Sequence, residues 1–247
     1  MKTGFVKSQN LLWELSPMPS GFFAGSAGRL IGEMNRIDYG AGKEEIRLAE
    51  KQMLARAIGL PAANILSLEQ VHGDAVLEVN EPPTNTAAIF AVGDAMITRL
   101  QNICLVIRTA DCVPVLLADA AAGAIGAVHS GWKGCRAKIA AKTVAAMERC
   151  YGCKPENLRA FVLPAIGPNA YQVGEDVAEF FPKHVLRAEG KTCVNLWAAV
   201  RDALIEAGLP DDNIFLCGVC NFSHNDEFFS HRRGDIGRNL NFIYMKG

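Results

Sequence analysis

Apolar residues recur every three or four positions between Lys43 and Ile58, with charged residues between them, and Gly59 and Pro61 follow directly. Because one face of an α-helix repeats every 3.6 residues, this pattern predicts a helix over residues 43–58 that stops at the glycine. Residues 1–40 show no such period. Their scattered Gly, Ser and Pro around short apolar stretches predict only a strand or two and a glycine-rich loop.

Short runs of β-branched and apolar residues follow the first helix, and such runs are typical of strands. Their succession predicts mixed sheets in an α/β (α+β) fold. Among the later segments, 133–151 is rich in Ala, Lys, Met and Glu and is entered through Gly131-Trp132-Lys133-Gly134, and 195–207 is amphipathic. The predicted strands are 64–68, 75–79, 95–98, 103–108, 113–118, 123–129, 158–163, 214–219 and 241–245, and the predicted helices are 133–151, 174–181 and 195–207.

Composition narrows the range of partners. The chain has 247 residues, half of them hydrophobic, and a formal net charge of −1, which provides no basic field for nucleic acid. No apolar run approaches the length that spans a bilayer, so we expect no membrane insertion.

No repeat or linker divides residues 1–247, which we interpret as a single domain. No secretory signal is apparent, so the eight cysteines are interpreted as thiols of a cytoplasmic protein.

Three residues spread over about sixty positions carry the strongest chemical signal. His72, Cys112 and His129 each lie beside a predicted strand and are flanked by Gly, Asp or Pro, so they are expected where strands meet loops. Two imidazoles and a thiolate suit zinc or copper and leave a coordination position open for water or substrate. The pattern therefore predicts a catalytic metal site, and Asp111 next to Cys112 is a candidate for orienting a ligand.

The same residues allow other interpretations. Both histidines can be ordinary core or capping residues and Cys112 a small buried hydrophobe. Alternatively, Cys112 can be the nucleophile of a metal-free cysteine hydrolase with His129 as its base. The additional histidine, His72, favours metal coordination, because a dyad needs only one base.

Cationic residues at two places suggest anion binding. Lys133 and the backbone N–H groups of the helix start near His129 can hold an anion, and Arg232 and Arg233 can bind phosphate or carboxylate through two-pronged hydrogen bonds. Phe228 and Phe229 precede the arginines and need burial, so the arginines are expected to project from an anchored segment. No Walker or dinucleotide motif is present, which argues against nucleoside triphosphates and NAD.

The chain contains two Cys-x-x-Cys pairs, Cys150/Cys153 and Cys217/Cys220. Such pairs are typical of structural zinc sites. The 63 residues between Cys153 and Cys217 are far more than a compact zinc ribbon contains. We therefore interpret these cysteines as incidental.

Six motifs in order resemble one family, the bacterial laccase-domain proteins, also called multicopper polyphenol oxidoreductases and now regarded as purine nucleoside phosphorylases. The resemblance covers residues 60–247 and is weak over the first forty positions. The motifs are 68–73 (LEQVHG), 93–98 (GDAMIT), 109–115 (TADCVPV), 127–134 (AVHSGWKG), 164–174 (PAIGPNAYQVG) and 228–233 (FFSHRR).

This resemblance implies a four-layer α/β/β/α sandwich and a zinc site whose ligands are His72, Cys112 and His129. It also implies phosphorolysis of adenosine, inosine and methylthioadenosine to base and sugar 1-phosphate, with deamination of adenosine. The chain departs from the family at Lys133, where Arg is usual, and at His231, where Tyr is usual. Met34-Asn35-Arg36 takes the place of a Ser-Leu-Asn-Leu stretch, which makes Asn35 a candidate for substrate binding.

From these residues we hypothesise that a metal on His72, Cys112 and His129 activates water for deamination. Lys133, Arg232 and Arg233 are the candidates for holding phosphate, and Asp94 and Asp111 are the candidates for moving protons or orienting a ligand.

Two further alternatives remain open. One is a copper-dependent polyphenol oxidase, although five histidines are too few for a blue-copper laccase. The other is a non-catalytic metal-binding partner protein. A monomer or a small homo-oligomer is expected.

Overall fold

The computed structural model describes residues 4–8, 13–16, 18–29, 37, 42–83 and 89–247 of the chain. The strands are β1 (Gly4–Lys7), β2 (Trp13–Ser16), β3 (Phe22–Ala27), β4 (Ile65–Glu69), β5 (Val76–Val79), β6 (Ala91–Val92), β7 (Ala95–Thr98), β8 (Cys104–Thr109), β9 (Val113–Asp119), β10 (Ala124–Ser130), β11 (Arg159–Val162), β12 (Val185–Ala188), β13 (Lys191–Val194), β14 (Ile214–Leu216) and β15 (Asn239–Met245). The helices are α1 (Lys43–Ile58), α2 (Trp132–Arg136), α3 (Ile139–Tyr151), α4 (Glu175–Ala178) and α5 (Leu196–Glu206).

Two large mixed sheets form the centre of the molecule. One has seven strands in the order β1-β2-β3-β15-β8-β4-β6, and the other has six in the order β14-β11-β9-β10-β7-β5. Strand β4 runs parallel to β8, whereas β15 runs antiparallel to both β8 and β3. In the second sheet, β9 is antiparallel to β10 and β11, and β5 is parallel to β7. The predicted mixed sheets are therefore confirmed.

Alternate residues of these strands face different cores, and this alternation produces four layers. On β8, Leu105 and Ile107 pack in the cluster between the two sheets, while Cys104 and Val106 pack with helix α1. On β9, Leu116 belongs to the cluster between the sheets, and its neighbours pack under α3 and α5. Because both faces of each central strand are covered, the strands are apolar throughout. The structure confirms the α/β/β/α sandwich.

Helix α1 and strand β7 have the predicted bounds, and most other central strands begin or end within a residue or two of the prediction. The predicted helix 133–151 differs, because it is divided into α2 and α3. Lys138 between them has φ +55°, a left-handed conformation that a right-handed helix cannot include. Helix α5 begins as predicted, with the Asn195 side chain accepting from the Ala198 N–H (3.0 Å).

Other differences concern short elements. Helix 174–181 is limited to α4, and the described part of residues 1–40 contains three strands. The hairpin β12–β13 was not predicted. Its turn residues, Glu189 and Gly190, both have positive φ, and glutamate is not a typical residue for that turn. Among the described residues, no helix combines the length and apolar character that crossing a membrane requires.

Candidate active site and metal centre

His72, Cys112 and His129, which we call the tripod, converge as predicted. One potential ligand atom from each side chain lies within 4.8 Å of the other two. His72 is in the loop after β4, Cys112 is in the turn between β8 and β9, and His129 is within β10 opposite Pro114. The two imidazole rings meet edge to face with centroids 4.8 Å apart. His129 is buried and His72 is exposed, so the tripod is open to solvent on the His72 side.

Two residues of these loops have left-handed backbone conformations that are uncommon outside glycine. His72 has φ +60° and Asp111 has φ +90°. Such conformations persist when surrounding hydrogen bonds fix the backbone, and they are frequent at functional sites. Asp94 provides those bonds for the His72 loop, and the carboxylate of Asp111 is hydrogen-bonded to the Arg232 segment.

Asp94, which is fully buried just before β7, holds the two histidine segments together. Its carboxylate accepts backbone N–H groups from Val71 (3.3 Å), His72 (3.0 Å) and Gly73 (2.7 Å). The Nδ1–H of His129 donates to the same carboxylate at 2.7 Å. This bond places the His129 proton on Nδ1 and leaves Nε2 as the atom that can bind a metal. Asp94 is therefore a positioning residue for two of the three tripod members.

Asp111 acts on a different segment. Its carboxylate accepts the buried Ser230 hydroxyl and the Arg232 backbone N–H, both at 2.7 Å. Phe228 and Phe229 are buried, as the sequence predicted, so the segment before Arg232 is anchored from both ends. The side chain of Asp111 therefore fixes the position of the Arg232 segment, and its hydrogen bonds do not reach a tripod side chain among the described residues.

Gly131 packs directly against the tripod. A methyl group on its Cα would lie 3.0 Å from Cys112 Sγ and 3.1 Å from His72 Cδ2. These distances are shorter than ordinary van der Waals contacts, so any side chain here would displace two of the three members. The glycine in the Ser-Gly-Trp stretch is thus explained by the space that the tripod needs.

The ionisable groups of the tripod change one another's pKa. Burial raises the pKa of the Cys112 thiol, but hydrogen bonds and charge interactions with His129 and His72 prevail and lower it to about 6. Burial lowers the pKa of His129, but Asp94 and Cys112 prevail and raise it to about 9. The Asp94 pKa is lowered, because its hydrogen bonds with His129 and the His72 loop outweigh burial. The cysteine is therefore held as a thiolate, the form that binds metals.

The tripod lies on the wall of a cavity of about 550 Å³, a size typical of small-molecule sites. Its lining includes aromatic and apolar residues, cations, and several other polar residues such as Glu69 and Asp111. Trp132, Tyr171 and Leu196 provide aromatic and apolar surface, and five permanently cationic side chains provide positive charge. These cations are Lys43, Arg47, Arg108, Arg232 and Arg238.

The structure separates the cations that the sequence grouped together. The described wall of the cavity includes Arg232, whose Nη1 donates to the Gln172 carbonyl (2.8 Å), but neither Lys133 nor Arg233. Lys133 is exposed, with its Nζ 5.7 Å from the Trp132 ring centroid. Arg233 instead donates to the carbonyls of Asn221, Phe222 and Phe228 and pairs with Asp235. Asn35 lies outside the described residues.

Sequence reasoning missed several residues that build the cavity. The Gln70 side chain donates to the Arg108 carbonyl and accepts the Arg108 N–H, both at 2.8 Å, and so continues the β4–β8 pairing up to the His72 loop. The Arg108 guanidinium forks onto buried Glu50 of α1 at 2.6 and 3.0 Å. The only signal available for Gln70 was its place two residues before His72. Nothing in the spacing related Arg108 to the helix.

The donor set fits a metal ion. A thiolate and two imidazoles are the ligands that zinc prefers, and three protein ligands are typical of a catalytic zinc site. Asp94 supplies the outer hydrogen bond that metal-binding histidines almost always make. Among the described residues, this is the one group of three or more His, Cys, Asp or Glu side chains close enough to share an ion.

Comparison with known proteins gives a consistent result. Residues 29–246 match the family described as multi-copper polyphenol oxidoreductase laccase. A purine nucleoside phosphorylase of Deinococcus radiodurans is 41% identical over 192 residues, which are 75% of this chain and 72% of that protein. Adenosine deaminase RL5, from an unknown prokaryotic organism, is 34% identical over 231 residues, 86% and 87% of the two chains. The crystal structure of the Bacillus licheniformis hypothetical protein YfiH superposes with a TM-score of 0.88 at 25% identity, covering 98% and 99%.

Proposed function

The chain belongs to the multi-copper polyphenol oxidoreductase laccase family and is a purine nucleoside enzyme, and from that premise we propose that it is a metal-dependent purine nucleoside phosphorylase that also deaminates adenosine. The proposed substrates are adenosine, inosine and methylthioadenosine, with inorganic phosphate as the second substrate. One observation carries the proposal: the tripod, aromatic side chains and an excess of cations share a single cavity. A purine, a reactive centre and phosphate can therefore be accommodated side by side.

In phosphorolysis, a phosphate oxygen forms a bond to C1′ of the ribose while the bond from C1′ to the purine nitrogen breaks. The electron pair of that bond leaves with the base, which takes up a proton, and the sugar becomes a 1-phosphate. Fixed guanidinium groups hold the phosphate against C1′ and need no reorganisation as charge moves. Of the cations predicted from the sequence, Arg232 is the one that we retain for this role, because it lines the cavity.

The aromatic lining suits the base. Trp132 stacks on Phe180 with ring centroids 6.2 Å apart, so its ring is held from behind. Burial and the nearby Cys112 raise the pKa of Tyr171 to about 12, which keeps its hydroxyl protonated and able to donate a hydrogen bond. We assign Trp132 to stacking with the purine and Tyr171 to a hydrogen bond with the substrate.

For deamination, water must replace the amino group at C6 of adenosine, releasing ammonia and leaving inosine. We assign zinc to His72, Cys112 and His129, where it would act as a Lewis acid and lower the pKa of a water molecule. Asp94 would keep Nε2 of His129 available and hold the His72 loop in place. Asp111 would set the position of Arg232 through its backbone N–H.

A metal-free cysteine hydrolase is the main competing interpretation, because Asp94, His129 and Cys112 are connected in the order of a catalytic triad. Two observations favour the metal. A ring nitrogen of His72 lies within 4.8 Å of ligand atoms of both other groups, although a triad needs no second imidazole. Gly131 leaves space beside both Cys112 and His72, although His72 would have no role in a triad of Asp94, His129 and Cys112.

The test is metal analysis of the purified protein, followed by chromatography of adenosine incubated with and without phosphate. Adenine and ribose 1-phosphate formed only when phosphate is present support phosphorolysis, and inosine supports deamination. Loss of both activities on chelation, with recovery on adding zinc, supports the proposed metal. Comparison of zinc with copper, using a polyphenol as the substrate, tests the oxidase alternative. A metal-free protein that is fully active would contradict the proposal.

A further inference from the structure

Arg47 on helix α1 is a buried cation that lines the cavity, and two of its three side-chain nitrogen atoms lack a well-aligned hydrogen bond. Only 6% of the residue is exposed to solvent. Its Nε and Nη1 groups have no hydrogen-bond partner among the residues that the structure describes. The Nη1 atom lies 2.6 Å from Glu69 Oε2, which makes an ion pair without hydrogen-bond alignment. Because buried polar groups are nearly always hydrogen-bonded, an arginine with free donors inside a cavity indicates that a ligand completes it.

Other arginines border the same part of the cavity. Burial, followed by the like charge of Arg108, lowers the pKa of Arg47, and the same two causes lower the pKa of Arg238. Nη1 of Arg238 is engaged with the carbonyls of Asp235, Ile236 and Gly237, which fixes that side chain at the cavity wall. Arg108 thus repels both Arg47 and Arg238 on the wall of the cavity that holds the tripod, an arrangement that an anion stabilises.

Cations outnumber carboxylates on the cavity wall. Its described residues include five cations and two carboxylates, Glu69 and Asp111, and a third carboxylate, Glu50, pairs with Arg108. This excess of positive charge favours an anion. Inorganic phosphate carries between about one and two negative charges near neutral pH. Its oxygens also suit the planar, two-pronged geometry of arginine, which a single carboxylate would satisfy at only one guanidinium.

We propose that Arg47, Arg108 and Arg238 form the subsite for inorganic phosphate together with Arg232, which lines the same cavity, and that Glu69 occupies Arg47 until phosphate enters. This inference rests on the proposed function and names the groups that bind its second substrate. Glu69 pairs with Lys43 as well as with Arg47, so it holds both cations at the cavity in the absence of an anion. Its pKa is lowered, first by the hydrogen bond from Lys43, so it is ionised and repels an incoming anion. Phosphate must therefore compete with Glu69 for Arg47.

The competition predicts opposite effects for two substitutions. Arg47→Met removes the free donors, and we expect the phosphate Kd and the phosphate KM for adenosine cleavage to rise about 10- to 100-fold. Glu69→Gln removes the competing charge, and we expect the phosphate Kd to fall about threefold or more. Tighter binding is decisive, because a damaged fold would not produce it. Arg47→Lys keeps the charge without the fork and should lie between Arg47→Met and the unaltered protein.

The experiment is calorimetric titration of the zinc-loaded protein with inorganic phosphate, together with phosphate-dependent adenosine cleavage and phosphate-independent deamination. Arg56→Met is the matched control, since Arg56 is exposed on the last turn of the same helix and should leave every constant unchanged. A folded Arg47→Met protein with an unaltered phosphate Kd would overturn the inference. Should that variant fail to fold, Glu69→Gln decides, and an unchanged or weaker phosphate Kd overturns it.

The outcomes also distinguish this subsite from the proposed function. Phosphate binding that depends on Arg47, in a protein that cleaves no purine nucleoside, would support the subsite and contradict phosphorolysis. If the protein catalyses phosphorolysis and neither substitution changes the phosphate KM, the proposed function is supported and phosphate binds elsewhere. A protein that does not bind inorganic phosphate at all contradicts the subsite.

Discussion

Two regions of the cavity differ in how their buried charges are hydrogen-bonded. One is the tripod with Asp94, and the other, which we call the arginine region, contains Arg47, Arg108 and Arg238. In the tripod region, the Asp94 carboxylate accepts four hydrogen bonds, from three backbone N–H groups and one imidazole. In the arginine region, Arg47 is almost as deeply buried, but two of its nitrogen atoms have no hydrogen-bond partner among the described residues. The first charge is fully satisfied by the protein, and the second is not.

This difference separates scaffold from binding surface. A fully bonded carboxylate fixes the groups around it, so Asp94 holds the histidines in one geometry whether or not a ligand is present. An arginine with free donors loses hydrogen bonding to water on folding and regains it when an anion arrives. The six-stranded sheet supplies Asp94 and His129, and the seven-stranded sheet with α1 supplies Arg47 and Arg108. The predictions below test whether the two regions are as distinct as their bonding indicates.

The largest effect is expected for Cys112→Ser, which removes the thiolate of the tripod. A hydroxyl is a far weaker zinc ligand, so the purified variant should contain little zinc and lose more than about 100-fold in both activities. Zinc content and adenosine turnover measure this. Cys150→Ser is the control, because Cys150 is also half-buried but does not belong to the tripod. Full zinc content in the Cys112 variant would refute the assigned ligand set.

Asp94→Asn tests the scaffold itself. An amide nitrogen in place of one carboxylate oxygen would face N–H donors, so the His72 loop and the His129 tautomer both lose support. We expect zinc to bind about 10- to 100-fold more weakly, measured by competition with a chelator. Asp119→Asn is the matched control: Asp119 is equally buried but accepts the Ala121 and Ala122 N–H groups in a turn away from the tripod. If both variants weaken zinc equally, Asp94 has no specific positioning role.

The tripod was predictable from the sequence because its members combine a rare residue type with a local signal. Only five histidines occur in the chain, and two of the three tripod members adjoin glycine or aspartate after a predicted strand. Most of the central strands and α1 were also predictable, because burial on one or both faces sets their apolar patterns. Local pattern and final position agree in these segments.

The arginine region could not be predicted in the same way. Arg47 and Arg108 are 61 positions apart, and each looks like an ordinary surface residue in its own segment. Only the pairing of β4 with β8, and the packing of α1 on that sheet, bring them to one cavity. Arg233 shows the converse error, because the Arg-Arg pair suggested anion binding although Arg233 bonds to backbone carbonyls of its own loop. Charge alone does not show which groups the folded protein has already satisfied.

A smaller effect is expected for the aromatic lining. Trp132→Leu keeps apolar volume but removes the ring on which a purine can stack, so the nucleoside Kd should rise about tenfold. The phosphate Kd should stay the same, which distinguishes this side chain from Arg47. Isothermal titration with inosine and with phosphate measures the two constants. Phe215→Leu, an aromatic change at a residue that stacks on Phe161 outside the cavity, is the control. Equal loss of affinity for inosine and for phosphate would show that Trp132 does not act on nucleoside binding alone.

The smallest effect is expected for Lys142→Ala, which removes the exposed ion pair between α3 and Asp74, two residues after His72. Lys142 is about half exposed, and solvent screens such pairs strongly, so they rarely fix a loop. We expect the melting temperature, the zinc affinity and both activities to remain unchanged within error. Asp94 accepts the N–H groups of the same loop from a buried position, so the loop should keep its conformation without Lys142. A marked loss of zinc affinity would instead mean that the surface pair shares in positioning His72, and that burial alone does not separate the scaffold from its surroundings.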